Sequence, residues 1–199
     1  MLQLDPEALI GRGLHRECYQ HPANANLCVK IVVAGNSDEN RREARYYARL
    51  SRRGISWDML ARFHGLVATS LGEGAVFDLV RDFDSQVARP LASYLESREC
   101  ALEHGPALAD ALRDLRTYLM ANRIVTMTLK TKNILYRRDS ETVGKLVVVD
   151  NVGNSDFIPL TNYSPILARL KIARKWRRFE QAMLDQYPGS RALASMPFA

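Results

Sequence analysis

Two glycines flank an arginine at Gly11-Arg12-Gly13, between two runs that read as strands. Without side chains such a backbone can come close to phosphates, although the same pattern also makes an ordinary tight turn. Lys30 interrupts the apolar run Leu27-Cys28-Val29-Lys30-Ile31-Val32-Val33, where a lysine is most often an edge or solvent-face residue. Glu43 is odd in the opposite sense. On a helix over 37–53, Arg41, Arg42, Arg45, Arg49, Arg52 and Arg53 share one arc, and Glu43 falls among Tyr46, Tyr47 and Leu50 on the other. A carboxylate facing a core is costly unless a cation meets it. Two partners are open: a neighbouring Arg42 or Arg45 at a partly exposed site, or Lys30 from the adjacent strand. Further on, Thr126-Met127-Thr128-Leu129-Lys130-Thr131-Lys132-Asn133 follows a long helix, and Asp150 ends the run Leu146-Val147-Val148-Val149. An Asp there is commonly just a turn starter. Glycine loop, strand lysine, helix glutamate, asparagine and aspartate, in that order, say more than any of them alone.

The elements that must position these residues change character along the chain. The first part is strand-rich: Leu9–Leu14, Glu17–Gln20 and Leu27–Val33, with a turn cluster at 21–26. The 37–53 helix has Ser37 as its N-cap, Asp38 and Glu39 in its first turn, and Gly54 as its stop. Arg62–Val67 and Ala75–Val80 read as a strand pair around Leu71-Gly72-Glu73-Gly74. Beyond 82–88 helices dominate: a short one over Pro90–Ser97, then Pro106–Asn122 with Leu108, Leu112, Leu115 and Leu119 on one stripe. Asn133–Tyr136 and Leu146–Val149 form two short strands around Arg138-Asp139-Ser140, and Ser164-Pro165 opens a last helix to about Gln186. The reading is α+β, with a strand-rich 1–85 and a helix-rich 86–199.

Composition narrows the function classes. The 199 residues carry 28 Lys plus Arg against 22 Asp plus Glu, a formal net charge of +6, with 47% apolar and 25% charged residues. These are ordinary globular values and exclude disordered and fibrous classes. No apolar run reaches the ~18 residues of a spanning helix, and the N-terminus has neither the basic nor the apolar region of a signal peptide. Cys18, Cys28 and Cys100 are an odd number without metal-ligand spacing, against both a disulfide framework and a zinc site. The expected location is cytoplasmic. His15, His21, His64 and His104 are scattered and receive no role.

The ordered set resembles that of protein kinases. Cys28-Val29-Lys30-Ile31 is similar to the kinase strand whose lysine reaches phosphates and pairs with a helix glutamate, and Thr126–Asn133 to the catalytic loop, with Leu129 and Asn133 at the right offsets. Asp150, seventeen residues after Asn133, stands where the metal-binding aspartate would fall, written Asp150-Asn151-Val152-Gly153. More closely, the chain resembles the YrbL family of PhoP regulatory network proteins from about Leu9 to Tyr187. The stretches 77–84 and 90–95 are the most family-like outside the kinase motifs. The resemblance implies a bilobal kinase-like fold: a small antiparallel sheet with one helix, then a reduced, mostly helical lobe. It implies that ATP and Mg²⁺ bind between the lobes. Gly11 and Gly13 would cover the phosphates, Lys30 would contact them while paired with Glu43, and the backbone of Val80, Arg81 and Asp82 would hold adenine. Asn133 and Asp150 would hold the metal.

The departures bear on chemistry. Arg16 and Glu17 stand near the missing third loop glycine, Asp150 is followed by Asn151 and Val152, and the position of the catalytic aspartate is Thr128. A threonine has no useful basicity near neutral pH. Lys130 remains to stabilise a transferring phosphoryl group, so phosphotransfer, if any, would be slow. One alternative is a non-catalytic, pseudokinase-type regulator or scaffold. Another is a basic surface that binds membrane or nucleic acid. On the last helix Lys171, Arg174, Lys175, Arg177 and Arg178 share an arc opposite Ile172, Ala173, Trp176, Phe179 and Met183. That face reads as solvated, and it could contact anionic partners.

Overall fold

A computed structural model of the chain describes residues 1–34, 38–153, 164–188, 190 and 193. The fold is α+β and divides into two compact units, Met1–Trp57 with Ala61–Val80, and Asp58–Leu60 with Arg81–Ala199.

The first unit is built on a five-stranded antiparallel sheet. Its strands are β1 (Leu9–Arg12), β2 (Arg16–Gln20), β3 (Leu27–Val32), β4 (Phe63–Thr69) and β5 (Gly72–Asp78), in spatial order β1-β2-β3-β5-β4. Alternation along β3 decides its chemistry. Val29 and Ile31 join Tyr19, Val76 and Leu4 in an apolar cluster on one face. Cys28 and Lys30 point to the other, in register with Phe77 and Ala75 on β5. That second face is covered by helix α1 (Asp38–Arg52). Tyr47 packs edge-on to Phe77 at 5.4 Å between ring centroids and at 5.8 Å from Phe63. Each such pair adds ~0.5–1.5 kcal/mol to its burial. The expected cap Ser37 lies outside the described residues.

The β4–β5 connection is tighter than the sequence suggests. Thr69 is in register with Gly72, so Ser70-Leu71 alone make the turn, with Gly72 at φ +107°. Gly74, expected in the turn, lies inside β5 instead. A Cβ there would come within 2.6 Å of Val29 and 2.9 Å of Ile31, so glycine at this position serves packing against β3.

In the second unit a three-stranded sheet pairs β6 (Arg89–Pro90), β7 (Ile134–Arg138) and β8 (Gly144–Val148). Helix α2 (Leu91–Glu96) is followed by α3 (Arg98–Ala121), and α4 runs Pro165–Gln186. The leucine stripe of α3 is buried as its periodicity predicts. Its start is not where Pro106 suggests. Ser97 caps the helix by accepting the Cys100 N–H at 3.2 Å, and Pro106 sits inside. Proline cannot bond the carbonyl four residues back. Here that residue is Leu102, half exposed, so water can satisfy the carbonyl. The cap of α4 is the expected one, with Ser164 Oγ accepting the Leu167 N–H at 3.3 Å. Among the described residues no helix is long and apolar enough to cross a membrane.

Candidate functional site

In the first unit the candidate residues cluster on the α1-covered face of the sheet. Cys18 is in register with Lys30, so β2 contributes Arg16 and Cys18 to the same face. Lys30 is buried, with Nζ 4.3 Å above the Phe77 ring. Burial pushes its pKa down, as does the Arg16 guanidinium, while Glu43 favours the charged form. Glu43 is only 5% exposed. Its local alternative fails: Arg42 and Arg45 lie exposed on the outer face of α1. The cation the structure brings to Glu43 Oε2 is Arg16, through a short charge-assisted hydrogen bond. The other carboxylate oxygen, Oε1, is buried without a hydrogen-bond partner among the described residues. Lys30 acts on Glu43 electrostatically from the adjoining strand.

Arg16 is the residue that sequence reading missed. It marked only an absent glycine, yet β-alternation from the 21–26 turn puts 16, 18, 28 and 30 on one face. The same face holds a thiol pair. A hydrogen bond from Cys28 is the main influence lowering the Cys18 pKa, to about 7, with Lys30 and Arg16 adding to it and burial opposing. Cys28 is pushed up correspondingly, and its Sγ lies 3.7 Å from the Asp78 carbonyl.

Gly11 ends up exposed in β1, and a Cβ there would meet no atom within 4 Å. Gly13 closes the β1–β2 turn by donating its N–H to the Arg16 carbonyl at 2.8 Å. The surface beside Gly11 is therefore open to a ligand, whereas Gly13 also serves the turn.

In the second unit the loop 125–133 and the segment after β8 are laced together. Thr126 bridges Val152, Met127 N–H donates to the Asn151 carbonyl at 2.7 Å, and Gly153 N–H to the Val125 carbonyl at 3.0 Å. Val149 N–H donates to the Asn133 carbonyl at 3.0 Å, extending the Ile134–Val148 pairing. The β7–β8 hairpin thus puts Asn133 opposite Val149 at its open end, with Asp150 one residue further along. Both are partly exposed. Asp150 Oδ1 accepts its neighbour Asn151 N–H at 2.8 Å, where Asn151 takes φ +59°. A carboxylate and a carboxamide oxygen suit a hard cation that keeps water and phosphate in its remaining positions. The described residues contain no cluster of three or more His, Cys, Asp or Glu fit to hold a metal by itself. Thr128 and Lys130 are exposed on the same loop.

Asp82 is tied into the turn that follows it. Its N–H donates to the Gln86 carbonyl at 2.9 Å, and its own carbonyl accepts the Ser85 N–H at 2.9 Å. Its buried carboxylate takes Arg138 Nε at 2.7 Å and Arg138 N–H at 2.9 Å. Through these bonds Asp82 anchors the 81–87 turn. Val80, the last residue of the first unit, is buried, and Arg81 donates from Nη1 to the Ser85 carbonyl at 2.8 Å.

The C-terminal helix carries one more correction. Arg174, Arg177 and Arg178 are exposed as expected, but Lys171 is buried beside Ile172. A lysine stem can lie along apolar surface while its head finds polar contact, so arc membership alone misplaces it.

A family model described as PhoP regulatory network protein YrbL matches residues 2–184. The YrbL proteins of Escherichia coli (strain K12) and Shigella flexneri are each 43% identical to this chain over 183 residues, covering 90% of it and 86% of the relative.

Proposed function

Since the chain belongs to the PhoP regulatory network protein YrbL family, we propose that it serves there as a kinase-like protein that binds Mg-ATP and turns it over slowly. The observation that carries this reading is Lys30: an ammonium buried on an aromatic-lined sheet face, beside Glu43 and Arg16. Removing an ion from water costs several kcal/mol (~) even after relaxation, and an apolar residue at 30 would pack that face more cheaply. A buried lysine held beside a carboxylate suits a group that must meet an anion. Gly11 and Gly13 would offer backbone to the phosphates, Lys30 its charge, and Val80 and Arg81 backbone contacts to adenine. Asn133 and Asp150 would hold Mg²⁺, which supplies neutralisation of the phosphate oxygens when bound.

Lys130 would steady the transferring phosphoryl group. Thr128, at the position of the proton acceptor, can orient a hydroxyl but cannot deprotonate it. That substitution favours a second reading, in which nucleotide binding alone switches a regulatory or scaffolding surface.

The test is thermal unfolding of the full chain with Mg-ATP. At ~100 times its dissociation constant a ligand adds about 2.7 kcal/mol to stability. Lys30→Met should fold and lose that gain. A gain equal to that of the unsubstituted chain would remove Lys30 from the site and the reading with it.

A further inference from the structure

The second unit contains a groove of about 620 Å³ that the nucleotide reading does not use as such. One wall is the loop 127–132, the other the C-terminal half of α4, and Ala92 and Glu96 of α2 close one end. The loop is fastened to the helix at two points. Lys175 Nζ donates to the Met127 carbonyl, and the Thr131 hydroxyl shares a buried hydrogen bond of 3.0 Å with the Tyr187 hydroxyl. These ties fix the spacing of the walls, so the groove is preformed.

Its lining has two characters. Leu129, Phe179, Met183, Ala182 and Ala92 give an apolar bed. Around it stand four cations, Lys130, Lys132, Lys175 and Arg178, against one carboxylate, Glu96. Lys175 is engaged with Met127. The side chains of Lys130, Lys132 and Arg178 make no hydrogen bond or ion pair with any described residue. Glu96 likewise forms no ion pair with them, so no described carboxylate is paired with these three cations. Solvated basic faces are common, but such faces are convex and polar throughout. Here the cations rim an apolar concavity whose volume falls in the ~300–1,000 Å³ range of small-molecule sites.

We propose that this groove binds a small amphipathic anion, a phosphate ester with an aromatic or short aliphatic body. The body would displace water from Met127, Ala92 and Ala182, which are accessible above the buried floor of Leu129, Phe179 and Met183, and Lys132 and Arg178 would take the phosphate, Arg178 with its planar fork. A nucleic acid is disfavoured because it needs a continuous phosphate track, whereas these cations are gathered around one concavity. A single phosphate on a compact body fits both the charge and the size.

The probe is 1-naphthyl phosphate, titrated calorimetrically into the full chain beside 1-naphthol and inorganic phosphate. The ester should bind at least about tenfold more tightly than either fragment, because only it meets both the bed and the cations. Lys132→Gln with Arg178→Gln should weaken it by about tenfold or more. Both residues are exposed, so the thermal midpoint should hold. Ala182→Trp, which fills the bed from an exposed position, should abolish ester binding with the charges intact. Lys30→Met should bind the ester unchanged, and this separates failure of the groove from failure of the nucleotide site. Three results would each overturn the proposal: no binding of the ester, equal affinity for ester and inorganic phosphate, or undiminished binding in the double variant. So would efficient competition by phosphatidylglycerol vesicles or duplex DNA, which would assign the cations to a macromolecular surface.

Discussion

Thr128→Asp should raise ATP turnover by ~10²–10⁴-fold, the usual worth of a positioned general base. The expectation follows from what the loop already has. Its backbone is laced to 151–153, and Lys130 and Asn133 follow Thr128 at the offsets of the catalytic loop it resembles. Thr128 itself is exposed, so a carboxylate there suffers little desolvation and stays ionised at neutral pH. The measurement is release of γ-labelled phosphate by the unsubstituted chain, Thr128→Asp, and Thr128→Asp with Asp150→Asn. The single substitution should accelerate release, and the added Asp150→Asn should reverse the gain. An unchanged rate in Thr128→Asp would favour the purely regulatory reading, in which the loop does not approach a phosphoryl group. Rapid turnover by the unsubstituted chain that survives Asp150→Asn would place catalysis elsewhere.

Arg16→Met should destabilise the chain by ~3–5 kcal/mol, the cost of breaking a buried ion pair from one side. Arg16 is the guanidinium bonded to Glu43, whose second oxygen already lacks a hydrogen-bond partner among the described residues. Removing Arg16 leaves a buried carboxylate with Lys30 as the cation acting on it from the neighbouring strand. Arg16 keeps 12% of its side chain exposed, so the loss should fall at the lower end of that range. Arg16→Met combined with Glu43→Leu should recover much of the stability, since a buried ion pair replaced by apolar groups of similar volume is often neutral. Urea unfolding of the three variants decides. A loss below ~0.5 kcal/mol for Arg16→Met would mean that the pair behaves as a surface ion pair, worth only ~0–1 kcal/mol.

The sequence made periodic features legible and hid those that depend on partners from afar. The leucine stripe of α3, the Ser164-Pro165 start of α4 and the apolar face of α1 follow from spacing and capping. The oddity of Glu43 was legible because one acidic residue broke an apolar arc. Its partner Arg16 was not, because identifying it required the β2–β3 register, which the hairpin fixes only once folded. The start of α3 was obscured by Pro106, whose usual preference for a first turn yields here to packing of Ala101 and His104 on the core. The short β4–β5 turn was obscured by two glycines that look alike in sequence. Gly72 answers to backbone angle and Gly74 to the closeness of Val29 and Ile31. Lys171 shows the limit of helical projection for long side chains, which can bury a stem where a shorter charged residue could not. That Asn133 and Asp150 both lie at the open end of the β7–β8 hairpin was approachable, since a hairpin joining the two short strands brings its ends together.

The most direct measurement of the central claim is a calorimetric titration of ATP into the full chain, with and without Mg²⁺, repeated on Asp150→Asn. One nucleotide should bind saturably per chain, tightened by Mg²⁺ in the unsubstituted protein and indifferent to Mg²⁺ in the variant. Absence of saturable binding, or the same Mg²⁺ dependence in both proteins, would contradict it.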